Sequence, residues 1–181
     1  MSKALFSIFE APITTPGKQS PAGDSSLIQI WRYIRGADAR YRTRTYRALQ
    51  EAEREQQEAQ LFKAAAFAGT FFQTGAAGLL QESGLICVSI DHTSEQDWDL
   101  KDLKDAVTTD PHLRVRLAFV SPSGDGLRVV LERPYRFSHS DYSAALLKYF
   151  AEAYFLEIDP AFKDISFLAS LSYDPEAYYR D

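Results

Sequence analysis

The sequence predicts an α+β fold, a mixed and largely antiparallel sheet covered by helices, in a single domain over residues 1–181. Three observations predict it. The portion 1–66 is helix-rich; beyond it, short β-branched and aromatic runs alternate with two helical stretches; and no internal repeat, heptad pattern or low-complexity linker divides the chain. A hydrophobic content of 45% with 13% aromatics is enough for a full core at this length.

Leu5, Phe6, Ile8 and Phe9 form the first strand candidate, followed by an irregular connection punctuated by Pro12, Pro16, Gly17, Pro21 and Gly23. Asp24, Ser25 or Ser26 can then cap a helix that places Leu27, Ile30, Trp31 and Ile34 on one face and stops at Gly36. Residues 38–63 contain neither glycine nor proline and read as helix. Five arginines (Arg35, Arg40, Arg42, Arg44, Arg47) lie here among Tyr33, Tyr41 and Tyr46, with Glu51, Glu53, Glu55 and Glu58 close behind. Two readings stand: a surface for phosphates and stacked bases, or a solvated helix with pairs such as Arg47–Glu51 and Arg54–Glu58.

GTFFQT at 69–74 and LICVSID at 85–91 read as paired strands around a turn region 75–84. Asp91 and His92 emerge where the second strand ends. Asp91 can hold a hard cation there, or it can cap a helix over Thr93 to Val107. His112, in the turn TTDPH, reads as a surface histidine. The stretch AFVSPSGDGLRVVLE at 118–132 reads as a hairpin with a decorated loop. Ser138 with Asp141 resembles a capping box opening a helix whose buried face holds Leu146, Leu147, Phe150 and Tyr154, with His139 in a capping or packing role. The chain closes on two short strand-like segments around Asp159 and Asp164 and a tyrosine-rich turn, so that Asp91, Asp159 and Asp164 would be strand-end carboxylates on one sheet.

Several classes are disfavoured. One cysteine, Cys87, allows neither an internal disulfide nor a cysteine-based zinc site, and it reads as a small core residue. There is no apolar run of membrane-spanning length, and the N-terminal apolar patch is too short for a signal peptide. A cytoplasmic protein without a membrane partner is therefore expected. The net charge of −5 does not suggest a wholly basic surface, though a local basic patch is compatible with it. No GxxxxGK[ST] loop occurs.

The hairpin loop carries the chemistry that phosphate oxygens require. Glycines allow close backbone approach and a guanidinium adds charged donors, which makes Ser121, Ser123, Gly124, Gly126 and Arg128 candidates; an ordinary solvated turn is the alternative.

Taken together, SIFEAP, FAGTFF at 67–72, SGLICVSIDH at 83–92, SPSGDGLRVV at 121–130, the helix opening at His139, EID at 157–159 and DISFLASLSYDPEAYY at 164–179 resemble the primase-polymerase-like N-terminal domain of VirE/VapE-type proteins. That family belongs to the archaeo-eukaryotic primase superfamily of bacterial mobile elements and phages. The resemblance implies that Asp91 and Asp159 are catalytic and hold Mg2+ or Mn2+, with Asp164 a further metal candidate, and that the hairpin residues bind nucleotide. It also implies a role in replication of such an element, with nucleotides, single-stranded DNA and a helicase-like P-loop protein or domain as partners. The chain departs from the pattern in four places: Ser89 stands where a first metal carboxylate is expected, Arg128 where lysine is more common, Phe167 where an arginine is usual, and Lys63 near an expected proline. Weakened polymerisation follows as an expectation. The alternative is a non-catalytic nucleic-acid-binding or assembly module using Arg40, Arg42 and Arg44.

Overall fold

Two four-stranded antiparallel sheets share a hydrophobic core in the computed structural model, which describes residues 4–14 and 18–181. Pro16 and Gly17 lie outside the described residues. The strands are β1 (Phe6–Phe9), β2 (Gly23–Ser25), β3 (Ala64–Ala66), β4 (Gly69–Phe71), β5 (Leu79–Glu82), β6 (Leu85–Asp91), β7 (Val115–Val120), β8 (Gly126–Glu132), β9 (Ala169–Ser170) and β10 (Tyr178–Tyr179). The helices are α1 (Leu27–Ile34), α2 (Ala37–Arg47), α3 (Glu51–Leu61), α4 (Leu100–Thr109) and α5 (His139–Tyr154).

One sheet runs β2-β1-β3-β9, the second β10-β7-β8-β6, and β4–β5 is a separate hairpin. The α+β class is as the sequence predicts. The pairings among the described residues are antiparallel and divided over three sheets, so the expected single mixed sheet is not what forms.

The second sheet is covered on both faces, which explains the near-continuous apolar runs of β6 and β8. Val88, Ile90, Val129 and Leu131 face α4 and α5 through Leu103, Val107, Leu146 and Phe150. On the other face Leu85, Cys87, Leu117, Phe119 and Val130 meet Phe6 of β1 and Leu27, Ile30 and Ile34 of α1. Cys87 is a buried core residue as expected, and burial pushes its thiol pKa up to about 12.

Several element boundaries differ from expectation. The helix read over 38–63 is two helices. Gln50 enters α3 from extended backbone, Arg54 donates to the carbonyls of Arg47 (2.9 Å) and Leu49 (3.2 Å), and the break lets Tyr46 pack edge-on against Phe62. The expected Arg47–Glu51 and Arg54–Glu58 pairs are not what these arginines form. The 69–71 strand pairs with β5 inside the supposed turn region, not with β6; Gly84, at φ +77°, then redirects the chain into β6. Thr93–Gln96 is a 3-10 turn and α4 starts later, capped by the Asp99 side chain, which accepts from the amides of Lys101 and Asp102. Asp91 is therefore not a helix cap.

The Ser138 cap and the apolar face of α5 form as predicted: Ser138 Oγ accepts from the Asp141 amide at 3.1 Å. His139 packs. It is 8% exposed, its Nε2 lies 3.1 Å from the Phe162 carbonyl oxygen, and burial lowers its pKa. The region around Asp159 and Asp164 is not strand. These residues flank a 3-10 turn, Pro160–Lys163, because Asp159 accepts from the Ala161 amide and Asp164 from Ser166, an arrangement that Asp-Pro and Asp-x-Ser sequences favour.

Candidate functional site

The strand register builds the site. Asp91, the last residue of β6, pairs with Gly126, the first of β8; two residues back, Ser89 pairs with Arg128. Residues directly opposite on antiparallel strands share a face, so Ser89, Arg128 and Phe119 point the same way. The carboxylate of Asp91 is thereby held from two sides. Ser89 Oγ donates to Oδ2 at 2.6 Å and Arg128 Nη1 to Oδ1 at 2.9 Å. Arg128 is only 7% exposed, and its Nε is buried without a hydrogen-bond partner. An orphaned guanidinium donor at that depth retains unused capacity for an anion.

The loop between β7 and β8 has internal order. The Ser121 amide donates to the Gly126 carbonyl (2.8 Å), the Gly124 amide to the Ser121 carbonyl (3.0 Å), and the Ser121 and Ser123 hydroxyls lie 3.0 Å apart. Gly124 has φ +88°, a backbone state that glycine adopts without steric cost. Thr93 Oγ1 donates to Asp125 Oδ1 at 2.8 Å and ties the loop to the turn after β6. Among the five phosphate candidates, Ser121, Gly126 and Arg128 are buried, while Ser123 is exposed and Gly124 half-buried at the tip.

Two contributors escape a linear reading. Arg47, from the end of α2, clasps the loop from below, with Nε donating to the Pro122 carbonyl at 3.0 Å and Nη2 to the Ser121 carbonyl at 3.3 Å. Asp174, 3% exposed, binds Lys104 Nζ at 2.6 Å and accepts from the Val120 amide at 3.0 Å, which fixes the strand leading into the loop. The only sequence cue to Asp174 is its Asp-Pro turn, and Arg47 has no cue beyond membership of an arginine-rich stretch.

Asp91 and Asp159 line one open cleft of about 750 Å³. Gln96 spans it, donating to the Asp91 carbonyl at 2.9 Å and accepting from the Glu157 amide at 2.7 Å. Asp164 is not among the lining residues and spends Oδ1 on the amide and hydroxyl of Ser166, both at 2.8 Å. His92 is exposed at the cleft rim beside Glu95.

The donor set does not fit a preformed two-metal centre. Both oxygens of Asp91 are engaged by Ser89 and Arg128, one of Asp159 caps the 3-10 turn, and among the described residues no three His, Cys, Asp or Glu side chains are grouped to hold an ion. Two-metal chemistry requires carboxylates shared between closely spaced cations.

The arginines of α2 separate into two kinds. Arg42 is structural, since Nε binds Asp38 at 3.0 Å and Nη1 the Leu61 carbonyl at 2.7 Å, joining α2 to the end of α3. Arg40 and Arg44 are exposed and line a shallow pocket with Tyr41.

Among the described residues no helix is long and apolar enough to cross a membrane. No curated protein and no solved structure matches the chain. The family model described as BT4734-like, N-terminal domain matches residues 56–179, more than half of the chain, and that span takes in β6, the decorated hairpin, α5 and Asp174. The chain therefore belongs to the BT4734-like N-terminal domain family.

Proposed function

We propose that this chain is a primase-polymerase-like domain that binds the phosphates of a nucleotide at the joint end of β6 and β8 and in which polymerisation is weak or absent. It would serve replication of a mobile element or phage beside a helicase-like P-loop partner. One observation carries the reading: a strand-end carboxylate, a buried guanidinium with an unused donor, and a loop of hydroxyls and glycines meet at one place. The similarity to VirE/VapE-type domains noted from the sequence supplies the replication context.

Arg128 is the charged donor that already contacts Asp91, and a phosphate reaching it would compete with that carboxylate for the same guanidinium. Ser123 and Gly124 form the accessible lip. Mg2+ or Mn2+ accompanying the nucleotide would supply charge to offset its phosphates, and Asp91 and Asp159, which line one cleft, are the residues that would hold it. Attenuation follows from the ligand set: Ser89 cannot replace a charged carboxylate, and here its hydroxyl is bonded to Asp91, the remaining member of that strand-end pair.

The test is titration of a fluorescent nucleoside triphosphate with Mg2+ or Mn2+, alongside primer synthesis on single-stranded template. Binding that falls at least tenfold in Arg128→Met, with little or no synthesis, is expected. Absence of nucleotide binding would sink the proposal; robust synthesis abolished by Asp91→Ala would overturn the attenuated reading.

A further inference from the structure

The exposed face of α2 carries an arrangement that the fold does not use. Arg40 and Arg44 are four residues apart, on one helical face and separated by about 6 Å along the axis. Tyr41 lies beside them, three residues from Arg44, and is 72% exposed. The three line one open pocket of about 610 Å³ with Ala37 and Thr45. Among the described residues neither Arg40 nor Arg44 has a carboxylate or carbonyl partner for its side chain; Arg40 has only the Tyr173 ring, 5.9 Å from its guanidinium carbon. Their neighbour Arg42 is bonded to Asp38 and to the Leu61 carbonyl, so the free pair is not a by-product of an arginine-rich helix in which no arginine finds a partner.

We infer that this face is a binding track for single-stranded nucleic acid, with Arg40 and Arg44 on successive phosphates and a base stacked on Tyr41. Guanidinium groups supply donors to phosphate oxygens, and an exposed phenol ring stacks on a base of any sequence. The track has a direction: one turn beyond Arg44 stands Arg47, whose guanidinium lies under the loop tip at Gly124. A strand seated on α2 would therefore run toward the hairpin. Only that direction rests on the nucleotide reading above; binding on α2 does not. The net charge of −5 sharpens the inference, because attraction of a polyanion has to come from a local array and not from the molecule as a whole.

The experiment is fluorescence anisotropy of a labelled oligothymidylate across a salt series, with the fluorescent nucleotide titration run on the same variants. Arg40→Glu/Arg44→Glu is expected to weaken oligonucleotide affinity at least tenfold and to reduce the log–log salt slope by roughly 0.7 for each arginine removed. Tyr41→Ala should weaken it roughly fivefold or more, and nucleotide affinity should stay at the parental value in both. Parental oligonucleotide affinity in the charge-reversed protein would overturn the track, as would a Tyr41→Ala protein without effect in which heparin competes as well as DNA. If charge reversal lowers the unfolding temperature, Arg40→Gln/Arg44→Gln replaces it with a severalfold loss expected. Absence of nucleotide binding in the parental protein with oligonucleotide binding intact would remove the nucleotide reading and leave the track standing.

Discussion

At Gly126 a methyl group would sit 2.3 Å from the Ile90 carbonyl oxygen and 2.9 Å from Ser121 Oγ. Neither neighbour can withdraw, since one is strand backbone and the other a buried hydroxyl of the loop. Gly126→Ala is expected to cost about 2–4 kcal/mol in urea unfolding, by overpacking at the strand end; a variant of parental stability would mean that the β6–β8 junction can shift. Asp91→Ala acts differently, by leaving the buried Arg128 guanidinium without its counter-charge. Asp91 is one-third exposed, so the cost is expected at about 1–3 kcal/mol and not at the upper end for buried pairs. Adding Arg128→Met should recover most of it, and a double-mutant cycle reads this directly. Both residues were visible in the sequence as site candidates because each stands at an edge between an apolar run and a polar loop. Their bond to each other was not visible, because strand register depends on which strands pair, and the sequence points to β4 as the partner of β6.

At the scale of elements, α5 joins a legible feature to an illegible one. Its cap and apolar face follow from Ser138, Asp141 and the spacing of Leu146, Phe150 and Tyr154, all local signals. The burial of His139 against Phe162 depends on a turn more than twenty residues later that reads as strand in the sequence. Burial lowers the His139 pKa below its ordinary value of 6.5, so in that window the unfolded chain binds more protons than the folded one and stability rises with pH. Unfolding temperature should therefore fall as pH drops below about 6.5, and His139→Gln should flatten the slope there; an unchanged slope would assign the acid sensitivity to other groups. A second step belongs at lower pH. Burial alone would raise the Asp110 pKa, but hydroxyl bonds from Tyr154 and Tyr149 outweigh it and lower it, so its stabilisation is lost only as pH falls through that depressed value. The division of α2 from α3 was illegible for a related reason: residues 38–63 hold no glycine or proline to mark it, and the break is held by the ring contact of Tyr46 with Phe62 and by Arg54 bonding two carbonyls at the end of α2.

For the molecule as a whole, Asp174 joins parts far apart in sequence. It binds Lys104 of α4 and the Val120 amide of β7, while its own amide donates to the Ile34 carbonyl at the end of α1. Asp174→Asn leaves Lys104, 12% exposed, without its counter-charge and is expected to cost about 3 kcal/mol, with Lys104→Met in the same chain restoring much of the loss. Urea midpoints of the single and double variants check this. The α+β class was legible because it needs only the alternation of local patterns; the distribution of strands over separate sheets was not, because β3 is three alanines and β9 and β10 are two residues each.

The arginine beneath the hairpin has a practical consequence. Arg47 lies before residue 56, where the family match begins, as do β1, β2 and α1. A fragment cut at that boundary would keep every phosphate candidate of the loop while losing the guanidinium under it, and it would bare the apolar surface around Leu85, Leu117, Phe119 and Val130 that Phe6, Leu27, Ile30 and Ile34 cover. The limits by which relatives are recognised are thus narrower than the limits within which this chain can hold its shape, and binding measured on the shorter piece would report a different molecule.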